Sequence, residues 1–153
     1  MENKDVGIVF PVRPEHVHRI FDEKKNVFVK YFSRAPKKLE DFRLKEGMKI
    51  IFYVSCSKRK LAGEAEIKNI TFLTPNEVIE KYRERLFISE KELLKYVHRQ
   101  PRRQHDKPLL VLELENMRRY PEGITYHKNI SMVGEYITKE VYKKFQQEYS
   151  TRE

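Results

Sequence analysis

Short apolar runs, several of them alternating with polar residues, follow one another along most of the chain. Strict alternation is typical of β-strands, because successive side chains point to opposite faces of a sheet. Residues 48–55 (MKIIFYVS) form the strongest run, and residues 61–72 return after a polar turn, which predicts a long hairpin. Further strands are predicted at residues 6–10, 26–32, 108–114 and 125–130.

Helices are predicted where the apolar spacing changes to three or four residues. Thr74 with Glu77, and Ser89 with Glu92, are capping boxes that open two helices. Two more helices are expected at residues 14–22 and from Thr138 to about residue 149. The order β-α-β-β-β-α-α-β-β-α has too few helices for regular βαβ crossovers, so an α+β fold is predicted, a small mixed β-barrel of five to six strands with short helices around it.

Two residues stand out inside the predicted strands. Lys30 shares a face with Phe28 and Phe32, where an unpaired charge is costly if that face is buried. Lys30 is therefore either a contact for a phosphate or base at a cleft, or a lysine that reaches from a half-exposed strand to water. Gly63 predicts a bulge or a close approach of two backbones.

Length and cysteine content narrow the class of protein. The 153 residues contain no linker or repeat, which predicts a single domain over residues 1–153. The single cysteine, Cys56, allows no internal disulfide, and no apolar run approaches the ~18 residues that span a bilayer. We expect a cytoplasmic protein without a signal peptide, with no membrane partner and an undetermined oligomeric state.

The charge balance points to a polyanionic partner. Thirty-two Lys and Arg residues oppose 23 Asp and Glu residues, which gives a net charge of +9. Such an excess favours a polyanion such as a nucleic acid or a nucleotide through release of counterions. The abundance of charged residues and the absence of Trp are also typical of thermophilic proteins, but this explains the abundance of charge and not its sign.

Basic and hydroxyl-bearing residues cluster near predicted strand ends and loops. A base or nucleoside contact is expected from residues near a cleft, and phosphate contacts from a hairpin tip and a loop. Ordinary turn chemistry or a solvated run of charge is the alternative for each. The candidates at the cleft are Lys25, Lys30, Tyr53, Ser55 and Ser57, and those of the tip and loop are Lys58, Arg59, Lys60, Arg99, Arg102, Arg103 and Lys107.

Other chemistry finds little support in the residue spacing. The five histidines form no zinc pattern, so no metal is expected. No cofactor is expected either. Cys56 has no histidine nearby in sequence to activate it as a nucleophile. Glu113 and Glu115 alternate along a strand and are interpreted as an exposed face rather than an acid–base pair. An aromatic cage would need Tyr31 and Tyr53, without the usual tryptophan.

Three segments of the chain, residues 23–30 (EKKNVFVK), 47–55 (GMKIIFYVS) and 62–67 (AGEAEI), follow one another in a familiar order. They resemble the GxKxxExR element, the GDxxxxYxS strand and its return strand in the ASCH group of the PUA-like superfamily, including its uncharacterised archaeal members. The resemblance covers most of the chain in order and spacing. It implies a pseudobarrel whose cleft is lined by the second, third and fourth strands. Because relatives bind RNA or modified bases, it also implies that the partner is RNA, for example tRNA or rRNA, or a nucleotide.

The resemblance also implies a possible catalytic set. Some ASCH proteins are hydrolases that use a Lys, a Thr and a Glu, for which this chain offers Lys25 and either Glu64 or Glu66. The segment that matches the threonine contains no hydroxyl. Three hypotheses follow: a non-catalytic module for RNA or a modified nucleotide, a small hydrolase acting on a modified nucleoside or RNA, and a protein-interaction or regulatory domain.

Overall fold

The helices and strands are described from a computed structural model. It describes residues 4–31, 38, 40, 42–54, 59–102, 107–126, 130 and 134–152. The strands are β1 (Asp5–Val12), β2 (Val27–Lys30), β3 (Lys49–Val54), β4 (Lys60–Leu73), β5 (Leu109–Thr125) and β6 (Glu135–Thr138). The helices are α1 (Pro14–Phe21), α2 (Pro75–Tyr82), α3 (Glu90–Arg99) and α4 (Lys139–Arg152).

The six strands form one mixed sheet in the order β2-β5-β4-β3-β1-β6. Strands β1 and β3 are parallel, and the other neighbours are antiparallel. The predicted α+β class is therefore confirmed, as are the hairpin of β3 and β4 and both capping boxes.

Strand β5 differs from the prediction. It extends for 17 residues instead of ending at residue 114, and it ends at Thr125, the first residue of the strand predicted at residues 125–130, of which residues 127–129 lie outside the described part of the chain. The register between β4 and β5 shifts at three places, and Asn116 adopts a φ of 50° within β5. Such irregularities interrupt the alternation of apolar residues while backbone pairing continues.

The sheet curls so strongly that β1 and β2 face each other. In the strand order these two strands are four places apart, which is about 19 Å in a flat sheet. Yet the rings of Phe10 in β1 and Phe28 in β2 stack with centroids 5.5 Å apart. Among the described residues, no backbone ladder joins β2 to β1 or β6, so the predicted barrel is an open one.

Two hydrophobic clusters form because side chains alternate along the central strands. Ile50 and Phe52 of β3 point into the large cluster inside the curled sheet, which α1, α2 and α3 also cover. Ile51 and Tyr53 point the other way, into a small cluster beneath α4 that includes Phe145.

The expectation for Gly63 is confirmed. The β3–β4 and β4–β5 registers both shift beside it, and a Cβ atom at this position would lie 2.5 Å from Phe21 Cζ and 2.6 Å from the Arg118 carbonyl oxygen. Glycine therefore lets α1 approach the sheet. None of the helices in the described ranges is long and apolar enough to cross a membrane.

Candidate functional site

A cleft of about 490 Å³ opens where the curled sheet brings β1 opposite β2. We call it the β1–β2 cleft. Its volume falls in the range of small-molecule sites in proteins. Its walls are formed by the end of β1, the start of α1, strand β2, the segment before α3, and one face of α3. The lining residues are Pro11, Val12, Arg13, His16, Phe28, Val29, Lys30, Phe87, Ile88, Glu92, Lys95, Tyr96 and Arg99.

Local backbone pairing positions the aromatic floor. The Val27 amide donates to the Arg85 carbonyl oxygen, and the Phe87 amide donates to the Val27 carbonyl oxygen, both at 3.0 Å. These bonds place Phe87 beside Phe28, with ring centroids 4.7 Å apart. Both rings are more than nine-tenths buried, and together they offer an apolar surface at the base of the cleft.

Lys30 is the buried cation of this cleft. Its side chain is 7% exposed and its ammonium lies 5.2 Å from the centroid of the Phe10 ring. Within the described part of the chain, no carboxylate or hydrogen-bond acceptor pairs with it. Burial lowers the pKa of Lys30 to about 8, so the free protein holds a largely protonated amine there at neutral pH.

Three further cations stand at the rim. Arg13 precedes α1, while Lys95 and Arg99 lie four residues apart on α3 and therefore share one face of that helix. All three are exposed. Among the described lining residues, four cationic side chains thus face a single carboxylate, that of Glu92.

Polar groups on α1 and α3 are held in place around the cleft. Glu92 closes the capping box of α3 and forms an ion pair with Arg19. His16 packs edge-on against Phe87 at 5.0 Å. Tyr96 accepts a hydrogen bond of 3.0 Å from the Tyr31 amide, and this fixes the end of β2 against α3.

Of the predicted contact residues, the structure brings Lys30 and Arg99 together in this cleft. Lys25 lies elsewhere, where its ammonium donates to the Glu84 carbonyl oxygen at 2.7 Å. Lys60 lines a separate hollow of about 200 Å³ on another side of α1, together with Arg119. Arg59, Arg102 and Lys107 are exposed, whereas Ser55, Ser57, Lys58 and Arg103, with Cys56, lie outside the described residues.

The β1–β2 cleft differs from the cleft predicted between the second, third and fourth strands. Strand β2 pairs with β5 rather than with β3, and the gap opens towards β1. Tyr53 is consequently absent from the cleft: it is 1% exposed and packs on Tyr126 beneath α4. Because Tyr31 packs on Tyr96 instead, the aromatic cage imagined from Tyr31 and Tyr53 does not form.

The residues suggested for a hydrolase set have other partners. Glu64 is 1% exposed and binds the hydroxyls of Tyr120 and Tyr142. Glu66 pairs with Lys49 at 2.7 Å. The β4–β5 ladder places Glu66 opposite Glu115, so β5 separates Glu66 from the segment that contains Lys25.

The predicted exposed face of Glu113 and Glu115 is correct only for Glu115. Glu113 is half-buried and accepts hydrogen bonds from Asn69, Tyr82 and Arg85. Among the described residues, no group of three or more His, Cys, Asp or Glu side chains is arranged to hold a metal ion.

Sequence reasoning missed several residues of the cleft. Arg13, His16, Glu92, Lys95 and Tyr96 come from α1 and α3, and the sequence alone did not show that these helices meet β2. One signal was available: Lys91, Lys95 and Arg99 recur every four residues, which marks a basic stripe along one helix face.

Comparisons with known proteins concern both the sequence and the fold. A family model described as a domain of unknown function (DUF365) matches residues 5–139. The uncharacterised protein MJECS03 of Methanocaldococcus jannaschii is 34% identical over 102 residues, which cover 63% of this chain and 94% of that protein.

Solved structures are similar in fold at low sequence identity. The ASCH protein of Zymomonas mobilis has a TM-score of 0.73 at 17% identity, covering 93% of this chain and 94% of its own. The N-terminal domain of Staphylothermus marinus McrB has a TM-score of 0.61 at 18% identity, covering 96% and 98%. The expected ASCH-type fold is thereby confirmed.

Proposed function

Since the chain belongs to the DUF365 family, whose description assigns no activity, we propose from the geometry of the β1–β2 cleft that the protein binds RNA and holds one nucleotide in this cleft. We also propose that residues 1–153 form a single domain for this purpose. The observation that carries the proposal is Lys30, a cation that is 7% exposed and that no described carboxylate neutralises. Burying a charge without a partner costs stability, and a bound anion would offset that cost.

The chemistry of the walls matches the parts of a nucleotide. Phe28 and Phe87 supply an apolar floor against which a base can pack, as the bases of single-stranded nucleic acids commonly pack against aromatic side chains. Lys30, Arg13, Lys95 and Arg99 supply positive charge for phosphates. Adjacent phosphates of a longer RNA would meet the exposed Arg102 and Lys107, which follow α3 in sequence.

Binding of a fluorescent mixed tRNA pool at two salt concentrations tests the proposal directly. Affinity should fall steeply with salt, because each neutralised phosphate releases counterions. A folded sample that binds no RNA at low salt, and no nucleotide either, would exclude the proposed function.

We expect Lys30→Met to weaken binding of cytidine 5′-monophosphate by about 10- to 100-fold, the usual worth of a hydrogen bond to a charged group. Methionine keeps the length of the buried chain and removes the charge. The free energy of unfolding should be unchanged or higher, because a buried charge that no described carboxylate neutralises is lost. Isothermal titration and urea denaturation measure the two quantities.

Lys68→Met provides the matched control. Lys68 is exposed on β4, lies outside the described lining of the cleft, and changes the net charge by the same amount. Equal losses of affinity in both variants would mean that overall charge, rather than the cleft, binds the nucleotide.

Affinity should also depend on pH through Lys30. The folded-state pKa of Lys30 is lowered to about 8 by burial, so the ammonium that binds an anion is present below this pH and is lost above it. Between pH 7 and 9.5 we expect affinity for cytidine 5′-monophosphate to fall about tenfold. Lys30→Arg retains its charge over this range and should give a flat profile; a flat profile in the wild type would contradict the assignment.

A further inference from the structure

The two carboxylate oxygens of Glu92 have different surroundings. Oε1 accepts a hydrogen bond of 2.8 Å from the Ser89 amide and also binds the Arg19 guanidinium. Oε2 accepts no hydrogen bond from the described residues, and its neighbour is His16 Nε2 at 3.9 Å. Both side chains line the β1–β2 cleft. The carboxylate is thus anchored through one oxygen and keeps the other for a ligand.

The protonation states of this pair follow from the surroundings. Although burial raises it, hydrogen bonds from Ser89 and Arg19 bring the pKa of Glu92 to about 2, so the group is a carboxylate at neutral pH. Burial lowers the pKa of His16 below its usual value of 6.5, so its ring is neutral and carries one N–H. The nearby negative charge favours that proton on Nε2, which makes Nε2 a donor beside an acceptor.

The spacing places the two groups side by side, so that one ligand edge can meet both. A separation of 3.9 Å is too long for a hydrogen bond between Glu92 and His16. The edge contact of His16 on Phe87 holds the ring in place, next to the aromatic floor on which a base would lie. A base on that floor would present its edge to one acceptor and one adjacent donor.

We propose that Glu92 and His16 select a nucleobase whose Watson–Crick edge carries an amino group next to an unprotonated ring nitrogen, which means cytosine or adenine and not uracil. This selection rests on the proposed function of the cleft. Cytosine offers its N4 amino group to Glu92 and its N3 lone pair to His16, and adenine offers N6 and N1 in the same way. Uracil presents the reverse pattern, with a carbonyl oxygen facing the carboxylate.

The charges along α3 favour one orientation of the bound nucleotide, with its base towards Glu92. Lys95 and Arg99 follow Glu92 by three and seven residues, which places them about 5 and 10 Å further along the helix axis. The Glu92 carboxylate repels a phosphate while these two cations attract it. The base therefore lies at the Glu92 end of the cleft and the phosphate at the Arg99 end.

Cytidine and uridine 5′-monophosphate test the selection, since they share sugar and phosphate and differ at the base edge. We expect the wild type to bind the cytidine nucleotide about 10- to 100-fold more tightly in isothermal titration. Glu92→Gln should remove or reverse this preference, because the Ser89 amide and Arg19 hold the amide oxygen at the Oε1 position and leave the amino group, a donor, to face the base. Glutamine also serves in a capping box, so the variant should keep α3 intact.

His16→Phe provides a second variant that keeps a ring against Phe87, and it should also reduce the preference. Equal binding of both nucleotides by the wild type, with both weakened by Lys30→Met, would overturn the selection and leave the proposed function standing. A preference that persists unchanged in both Glu92→Gln and His16→Phe would also overturn it. If the wild type binds neither nucleotide and no RNA, the selection and the proposed function are both wrong.

Discussion

Replacing Glu64 by alanine is expected to lower the free energy of unfolding by about 3–5 kcal/mol, because it removes a buried carboxylate that accepts three hydrogen bonds. Glu64 is 1% exposed and accepts hydrogen bonds from Tyr120 at 2.7 Å, Tyr142 at 2.8 Å and Gln146 at 2.6 Å. The Lys49 ammonium lies 3.6 Å away. Truncation would leave these donors without their acceptor, and buried donors that lose a partner carry the full cost of desolvation.

The same contacts connect Glu64 to the position of α4. Tyr142 and Gln146 belong to this helix, whereas Tyr120 belongs to β5 and Lys49 to β3. The carboxylate therefore joins the C-terminal helix to the convex side of the sheet, beside the small cluster around Tyr53 and Phe145. In Glu64→Ala we expect α4 to exchange its amide hydrogens faster, as a region with fewer buried contacts does.

Glu66→Ala is the matched control for Glu64→Ala. Glu66 lies on the same strand and shares the partner Lys49, but its side chain is 31% exposed. A partly solvated pair of this kind contributes about 0–1 kcal/mol. Urea denaturation of both variants compares the two positions. If Glu64→Ala cost no more than Glu66→Ala, the buried cluster would not stabilise α4 as described.

Local signals in the sequence were sufficient for much of the fold. The capping boxes at Thr74 and Ser89 and the β3–β4 hairpin depend on residues close together in sequence, and each forms as predicted. Period-two alternation also placed Lys30 on the face shared with Phe28, and both residues line the cleft. That placement needed no knowledge of what covers the strand.

The remaining features depend on contacts between distant parts of the chain. The cleft arises because β2 pairs with β5, some 80 residues later, and because the sheet then curls until Phe28 meets Phe10. The partners of Glu64 on α4 are 78 and 82 residues away in sequence. Alternation places Glu64 and Ala65 on opposite faces of β4. It does not show that a helix covers the face on which Glu64 lies.

Phe28→Ala is expected to destabilise the protein by about 3–5 kcal/mol, as truncation of a buried phenylalanine usually does. The ring is 4% exposed and contacts three other rings: Phe10 in β1 at 5.5 Å, Phe52 in β3 at 6.0 Å, and Phe87 before α3 at 4.7 Å. Each aromatic pair adds roughly 0.5–1.5 kcal/mol beyond the area that it buries. Urea denaturation measures the loss.

The same ring connects stability to ligand binding, because it holds β2 against β1 across the opening of the cleft. Without the Phe28 ring, the floor of the cleft loses one of its two rings, and β1 and β2 lose their direct contact. Affinity for cytidine 5′-monophosphate should therefore fall even where the variant remains folded. Phe72→Ala is the control: Phe72 is half-buried on β4, packs on Phe42 at 5.7 Å and lies outside the cleft. Phe72→Ala should lower the free energy of unfolding by less than Phe28→Ala does, and it should leave the affinity for cytidine 5′-monophosphate unchanged. A folded Phe28→Ala variant that binds the nucleotide as tightly as Phe72→Ala would place the ligand away from the β1–β2 cleft.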